Sequence, residues 1–198
     1  MASVAAPGSS SMTLDTSTGN PTGEGQPRVI GVDLSLASTG VAGPGWTARI
    51  QPPRTVRNAH ERDRRRWIRD QVLDYTRGAD LVVMEGLALS SRTGQALTRA
   101  GLWCQIDDAI DHRGTPIAVV PPTVRAKYAT GKGNAGKDAV LAAVIKRYPT
   151  IDVDGNDEAD ALALCAMGLD WLGHPLVRMP QTHRAALDGA TWPSLVTD

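Results

Sequence analysis

Val29-Ile30-Gly31-Val32-Asp33-Leu34-Ser35, followed closely by Ser38-Thr39-Gly40, is the stretch that decides the fold. The apolar run after Pro27 does not alternate with polar residues, so it reads as a strand covered on both faces, and it ends in a carboxylate. Asp80 to Glu85 (Asp-Leu-Val-Val-Met-Glu) repeats the pattern: a short buried strand closed by an acid. Between them, Thr39 to Ala42 and Trp46 to Ile50 read as two short strands joined through the turn signal Gly43-Pro44-Gly45, a small antiparallel meander. Pro116 to Val120 is a further strand, stopped by Pro121-Pro122.

Four stretches have helical spacing. Arg57 to Thr76 carries Trp67, Ile68, Val72, Leu73 and Tyr75, and Thr93 to Asp111 carries Leu97, Leu102, Ile106 and Ile110. Asp138 to Tyr148 places Val140, Leu141, Val144 and Ile145 together. Asp157 to Leu172 is apolar over much of its surface, which predicts a well-buried helix. Strands followed by helices in this order predict an α/β fold with a mixed sheet.

The 198 residues allow one domain plus tails. Residues 1–27 are rich in Ala, Gly, Ser, Thr and Pro, with only Asp15 and Glu24 charged, and are expected to be a disordered tail. The domain is expected over 28–174. Residues 175–198 carry Pro175, Pro180 and Pro193 and no clear period, and read as an irregular tail, on which Trp192 is a possible anchor. The chain has no Phe, so its core must come from Val, Ile, Leu, Ala and Met. Two cysteines, Cys104 and Cys165, lie in apolar helical patterns, which fits a reducing compartment rather than a disulfide framework. No apolar run reaches membrane-spanning length, and no basic-then-apolar leader opens the chain, so a cytoplasmic location is expected.

Four acids are placed unlike structural ones. Asp33 and Glu85 end strands, and ligand or catalytic groups in open α/β sheets gather beyond the strand carboxyl ends. Asp157 and Asp160, three residues apart, share a face of the last helix, which brings them to the same point. Carboxylates held together repel, and a hard divalent cation removes that cost. Oxygen-only donors suit Mg²⁺, with Mn²⁺ as a substitute, rather than Zn²⁺. Two such ions serve in-line phosphodiester hydrolysis. The plainer account is that acids cap helix starts, with Asn156 as N-cap, and that Asp often follows a strand. Only the combination favours a metal site. Glu158 points away from the pair by helical geometry and reads as a terminal or accessory charge.

With these residues placed, the chain resembles the RuvC-like Holliday junction resolvases of the ribonuclease H-like superfamily, over roughly residues 28–173. The resemblance lies in Ile30-Gly31-Val32-Asp33-Leu34-Ser35 through Gly40, Val82-Val83-Met84-Glu85, the Lys/Gly-rich stretch Arg125 to Lys137, and Asp157-Glu158-Ala159-Asp160-Ala161-Leu162-Ala163. It implies a five-stranded mixed sheet flanked by helices, a homodimer, and Mg²⁺-dependent paired nicking of four-way DNA junctions. Asp33, Glu85, Asp157 and Asp160 fall on the four metal-binding acids, and Lys137 on the active-site lysine. Arg125 or Lys127 lies near a second basic position. The chain departs from bacterial members in having Leu34-Ser35 where Pro-Gly is usual, and Gly86-Leu87 where Gln and a junction-stacking Phe are common. These departures point to a divergent, phage-type branch and leave the choice of branched substrate open.

The net charge is zero, from 21 Lys+Arg and 21 Asp+Glu, which taken alone argues against a purely electrostatic nucleic-acid binder. The sum hides its parts. Arg49 to Arg69 holds eight arginines against Glu61 and Asp63, and Arg113 to Arg147 holds seven basic residues against Asp138, so each stretch carries +6. Residues 148–174 hold six acids and no Lys or Arg. Arg125, Lys127, Lys132 and Lys137 are expected to grip a DNA backbone, since phosphate contacts give affinity without sequence reading. Arg62, Arg64, Arg65 and Arg66 read equally as a solvated helix face.

Gly131 to Asp138 nearly spells a Walker A loop, but Asp138 replaces the required hydroxyl and no buried strand precedes it, so no nucleotide cofactor is expected. The expected function is a metal-dependent endonuclease for branched DNA. The alternatives are an RNA–DNA hybrid nuclease on the same fold, a non-catalytic branched-DNA-binding module, and an actin-like ATPase, which needs two such domains and a longer chain.

Overall fold

In a computed structural model, which describes residues 25–87 and 95–194, the chain is a three-layer α/β/α domain. The elements run β1 (Val29–Asp33), β2 (Thr39–Gly43), β3 (Trp46–Ile50), α1 (Arg54–Arg57), α2 (Glu61–Tyr75), β4 (Leu81–Glu85), α3 (Gln95–Asp111), β5 (Ile117–Val120), α4 (Pro122–Thr130), α5 (Lys137–Arg147), α6 (Asn156–Trp171) and α7 (Gln181–Arg184). Residues 1–24, most of the expected N-terminal tail, lie outside the described residues, as do 88–94 and 195–198.

The sheet has the order β3-β2-β1-β4-β5. β1, β4 and β5 are parallel, while β2 and β3 fold back antiparallel as the meander predicts. The mixed five-stranded sheet flanked by helices is thus observed. β1 is central and buried along Val29 to Val32, which is why its sequence does not alternate. The pairing Val32↔Met84 sets Asp33 and Glu85 at adjacent ends of parallel strands.

Helices α2 and α3 cover one face, through Ile68, Val72, Leu102, Ile106 and Ile110 against Ile30, Val32 and Met84. Helix α6 lies across the other, with α4 and α5 beside it. From Glu158 to Asp170 every residue of α6 is buried. Small residues let it approach: a Cβ on Gly31 would sit 2.1 Å from the Ala161 carbonyl oxygen, and one on Gly40 would sit 1.9 Å from that of Asp157. The glycines of the β1–β2 region are therefore packing requirements that seat α6 directly on the sheet.

Three differences from the sequence expectations have physical reasons. The helix expected from Arg57 breaks at Asn58 to His60, and α2 starts anew at Glu61 with the His60 ring accepting a hydrogen bond from the Arg62 N–H. Asn156 begins α6 as its first residue, with Gly155 in the capping position. The stretch after Pro175, read as irregular, contributes packed anchors. Met179, Ala186 and Leu187 are buried in the α6-side core, Trp192 stacks on Trp171 with ring centroids 4.8 Å apart, and Thr191 exchanges two backbone hydrogen bonds with Val119. Isolated anchors separated by prolines leave no period to read. This bridge also covers the outer edge of β5.

A candidate active site at the strand ends

The carboxyl ends of β1 and β4, the start of α6 and the helix α4 meet at one point. Asp33 closes β1 and Glu85 closes β4. The Trp103 indole N–H of α3 donates to the Glu85 carbonyl at 3.0 Å, which holds that strand end. On α6, Asp160 is buried with 2% of its surface exposed, and Asp157 lies one turn earlier.

Arg125 was expected on a DNA-facing surface, and the structure places it inside the site instead. It is only 7% exposed. Its Nε donates to Glu85 Oε2 at 2.6 Å, and its Nη1 donates to Asp160 Oδ1. The cause is α4, a helix the sequence reading passed over. Pro122 starts it at the first helical position, where a missing N–H costs nothing, and Gly131 ends it in the left-handed conformation (φ 83°). These two residues were the available signal. Once the helix forms, Arg125, Ala126, Tyr128 and Ala129 all face inward.

The electrostatics tie the remaining residues to the same point. Burial, reinforced by the Glu85 and Asp160 carboxylates, pushes Asp33 up to about 7 despite the pull of Arg125 and Lys137. Burial likewise raises Asp160 to about 6, with Arg125 drawing it down and Glu85 drawing it up. Asp157 adds to that rise, and Lys137 opposes it from the start of α5. Among the described residues Asp33 has no ion pair. Asp33, Glu85, Asp160, Arg125 and Lys137 are therefore brought together, with Asp157 at the rim. Lys127 and Lys132 are exposed, and neither is among the charges that act on Asp33 or Asp160.

Glu158 has a different task. It is buried, accepts from the Asp154 N–H at 2.6 Å and lies 3.9 Å from Arg49 on β3, so it fixes the loop that leads into α6. Of the near-Walker stretch, residues 131–136 form the α4–α5 connection and Lys137-Asp138 open α5. The connection lines a cavity of about 130 Å³ together with Arg125 and Lys137.

The residues fit a hard divalent cation by the chemistry of their donors. All are carboxylate oxygens, and once all four are ionised they exceed the two fixed cations by two negative charges, a charge that the raised Asp33 and Asp160 resist without a cation. No three Asp, Glu, His or Cys side chains among the described residues are already arranged as a metal cage. Arg125 accounts for this, because its guanidinium takes the facing oxygens of Glu85 and Asp160.

The same fold occurs in RuvC of Thermus thermophilus. That structure is 17% identical in sequence, with a TM-score of 0.59, and the match covers 74% of this chain and 97% of that one. The chain has a RuvC-like fold. T. thermophilus RuvC in complex with a Holliday junction substrate matches with a TM-score of 0.55 at 17% identity, over 75% of this chain and 97% of that one. The yeast mitochondrial Holliday junction resolvase Ydc2 is 12% identical, with a TM-score of 0.47, over 82% and 81% of the two chains. No family model and no curated protein matches the sequence. Among the described residues of this RuvC-like chain, no helix is long and apolar enough to cross a membrane.

Proposed function

We propose that this chain is a metal-dependent endonuclease that hydrolyses phosphodiesters in branched DNA, with four-way junctions as its substrate. The observation that carries the proposal is the excess of acid at the strand ends of a RuvC-like fold: Asp33, Glu85, Asp157 and Asp160 against only Arg125 and Lys137.

Asp33, Glu85, Asp160 and Asp157 would hold Mg²⁺ or Mn²⁺, two ions per site being the arrangement suited to in-line displacement. When bound, the ions supply an activated water and charge stabilisation for the leaving oxygen. Lys137, exposed at the mouth of the site, is placed to take charge that develops on the phosphate oxygens. Arg125 positions Glu85 and Asp160 and limits their repulsion while no cation is present. Lys127 and Lys132 remain available for backbone contacts. Paired nicking of a junction requires two such sites, so the functional unit is a homodimer. The free thiols Cys104 and Cys165 suit a reducing, cytoplasmic setting.

The test is a synthetic four-way junction offered with Mg²⁺, Mn²⁺ or EDTA, beside linear duplex, flap and RNA–DNA hybrid. Metal-dependent, symmetric nicking of the junction is expected, and Asp33→Asn should abolish it while binding persists. Preferred cleavage of the hybrid, or full activity of Asp33→Asn, would overturn the proposal.

A further inference from the structure

A cavity of about 210 Å³ that the reaction outlined above does not use opens beside the β1–β2 loop, between it and helices α2 and α3. It is lined by Ser35 of the β1–β2 loop, Arg57 at the end of α1, Arg64 of α2, and Gln95 and Arg99 of α3. Three arginines converge there and no carboxylate lines it. Among the described residues none of Arg57, Arg64 and Arg99 is in an ion pair, whereas Arg65, Arg66 and Arg69 on the same helix α2 all are.

Two details give the cavity a direction and a need. Among the described residues Arg64 Nε is shut off from solvent and has no acceptor, as is Arg65 Nε beside it, but only Arg64 lines the cavity; a buried donor without a partner is uncommon unless something supplies one. Arg99 also lines a small cleft with Glu85, Leu34 and Trp103, so it belongs to the arginine cavity and to the border of the acid site at once. Ser35 stands two residues beyond Asp33, which ties the opposite wall of the cavity to β1.

We infer that Arg57, Arg64 and Arg99 form a phosphate subsite, which takes a backbone phosphodiester of the same strand whose neighbouring phosphate lies at the acids. Guanidinium groups are suited to phosphate oxygens by their planar fork of donors, and they keep their charge at any working pH. The strand would run from the acids past Arg99, which shares a cleft with Glu85, into the arginine cavity. Of the α2 arginines for which the sequence leaves a solvated face and a phosphate contact equally open, Arg66 is exposed and paired with Asp63, whereas Arg64 lines the cavity. The inference rests on the nucleic-acid reading of the acid site.

The experiment compares wild type with Arg64→Gln, Arg99→Gln and the double variant, with Arg178→Gln as a control. Arg178 lines a cavity with Asp170 near the far end of α6, roughly 20 Å along the helix from the acids. Binding of a labelled four-way junction is measured in EDTA as a function of salt, with thermal unfolding to verify folding. Each lost phosphate contact should lower the slope of log K against log salt by about 0.9 and weaken binding roughly eightfold at 0.1 M salt. The double variant should lose about twice that slope, and Arg178→Gln should match wild type. In Mg²⁺ the variants should raise KM with kcat at saturating junction held within about twofold, the pattern of lost uniform binding.

An unchanged salt slope in the folded double variant would overturn the subsite, even with wild-type nicking intact. A double variant that keeps DNA affinity but loses self-association would also overturn it, by assigning the cavity to a carboxylate of a second copy. Junction binding with the expected slopes but without metal-dependent nicking would sink the catalytic proposal and leave the subsite standing.

Discussion

Replacing Gly40 with alanine adds one methyl group where β2 meets the start of α6. The new Cβ would lie 1.9 Å from the Asp157 carbonyl oxygen and 2.4 Å from its carbon. Both are backbone atoms, so no rotamer change relieves the clash. Ordinary contact begins near 3.4 Å, so strand and helix must part by about 1.5 Å. Overpacking of this kind costs about 1–3 kcal/mol. In a domain of this size that lowers Tm by roughly 2–12 °C. The larger effect falls on the site. The displaced turn carries Asp157 and leads directly into Asp160, while Asp33 and Glu85 stay with the sheet. A misplacement of about 1 Å can cost on the order of 10²-fold in rate. Single-turnover nicking of a four-way junction at saturating protein, well below both melting points, should therefore fall roughly a hundredfold, with junction binding little changed. Gly45→Ala is the control. Gly45 has φ +87° and no atom within 4 Å of an added Cβ, so alanine there costs about 1–2 kcal/mol of backbone strain without touching α6. If Gly40→Ala nicks within threefold of wild type, the acids of α6 do not depend on this seating and the site assignment fails.

Three further outcomes follow from the same geometry. Arg125→Gln leaves Glu85 and Asp160 buried without their shared cation, so the metal-free protein should lose about 3–5 kcal/mol, and saturating Mg²⁺ should raise its Tm more than that of wild type; equal Mg²⁺ shifts in the two proteins would contradict the counter-ion role. Asp33 has a folded-state pKa of about 7 and Asp160 of about 6, both above the ordinary 3.8, so the folded state holds protons that the unfolded state releases. Their contribution is fully present below about pH 4 and is lost as pH rises through 6 to 7. Urea midpoints in EDTA should therefore fall between pH 5 and pH 8, and Asp33→Asn should flatten that fall; an unaltered profile would place Asp33 outside the acid cluster. Trp192→Ala removes the ring stacked on Trp171 and should cost about 2 kcal/mol in thermal unfolding while leaving nicking rates unchanged, because the stack lies at the far end of α6.

Much of the fold was legible because it is written in period. Unalternating Val29 to Val32 and Leu81 to Met84 state that both faces of β1 and β4 are covered, and the all-round apolar α6 states the same of the helix between them and solvent. The acids at the ends of these elements were legible for the same reason, since an element's end is where its periodicity stops. What period cannot show is pairing across the chain. Nothing local to Gly31 or Gly40 says that a helix more than a hundred residues away will press its backbone there. The C-terminal anchors Met179, Leu187 and Trp192 fall at spacings set by the surface they cover. α4 escaped notice because its basic residues read as a charged loop, although Pro122 and Gly131 mark its two ends.

Charge was the least legible property, because a count gives sign and not partner. Arg125 and Lys127 are two residues apart in the same basic stretch, yet one is sealed against Glu85 and Asp160 and the other faces solvent. On α2, Arg65, Arg66 and Arg69 are offset by Glu61, Asp63 and Asp70, while Arg64 just before them has no such partner among the described residues. Among the described residues the charge balance includes three populations: pairs that neutralise one another on the surface, an internal arginine that neutralises part of an acid site, and cations left over beside that site. Only the last group adds to attraction for a polyanion, and only the acid left unneutralised by Arg125 and Lys137 adds to attraction for a divalent cation. These two remainders of the charge balance have opposite sign and lie near one end of β1, so under the proposed function a phosphate backbone and a divalent cation would be drawn to neighbouring points by a protein whose total charge is zero.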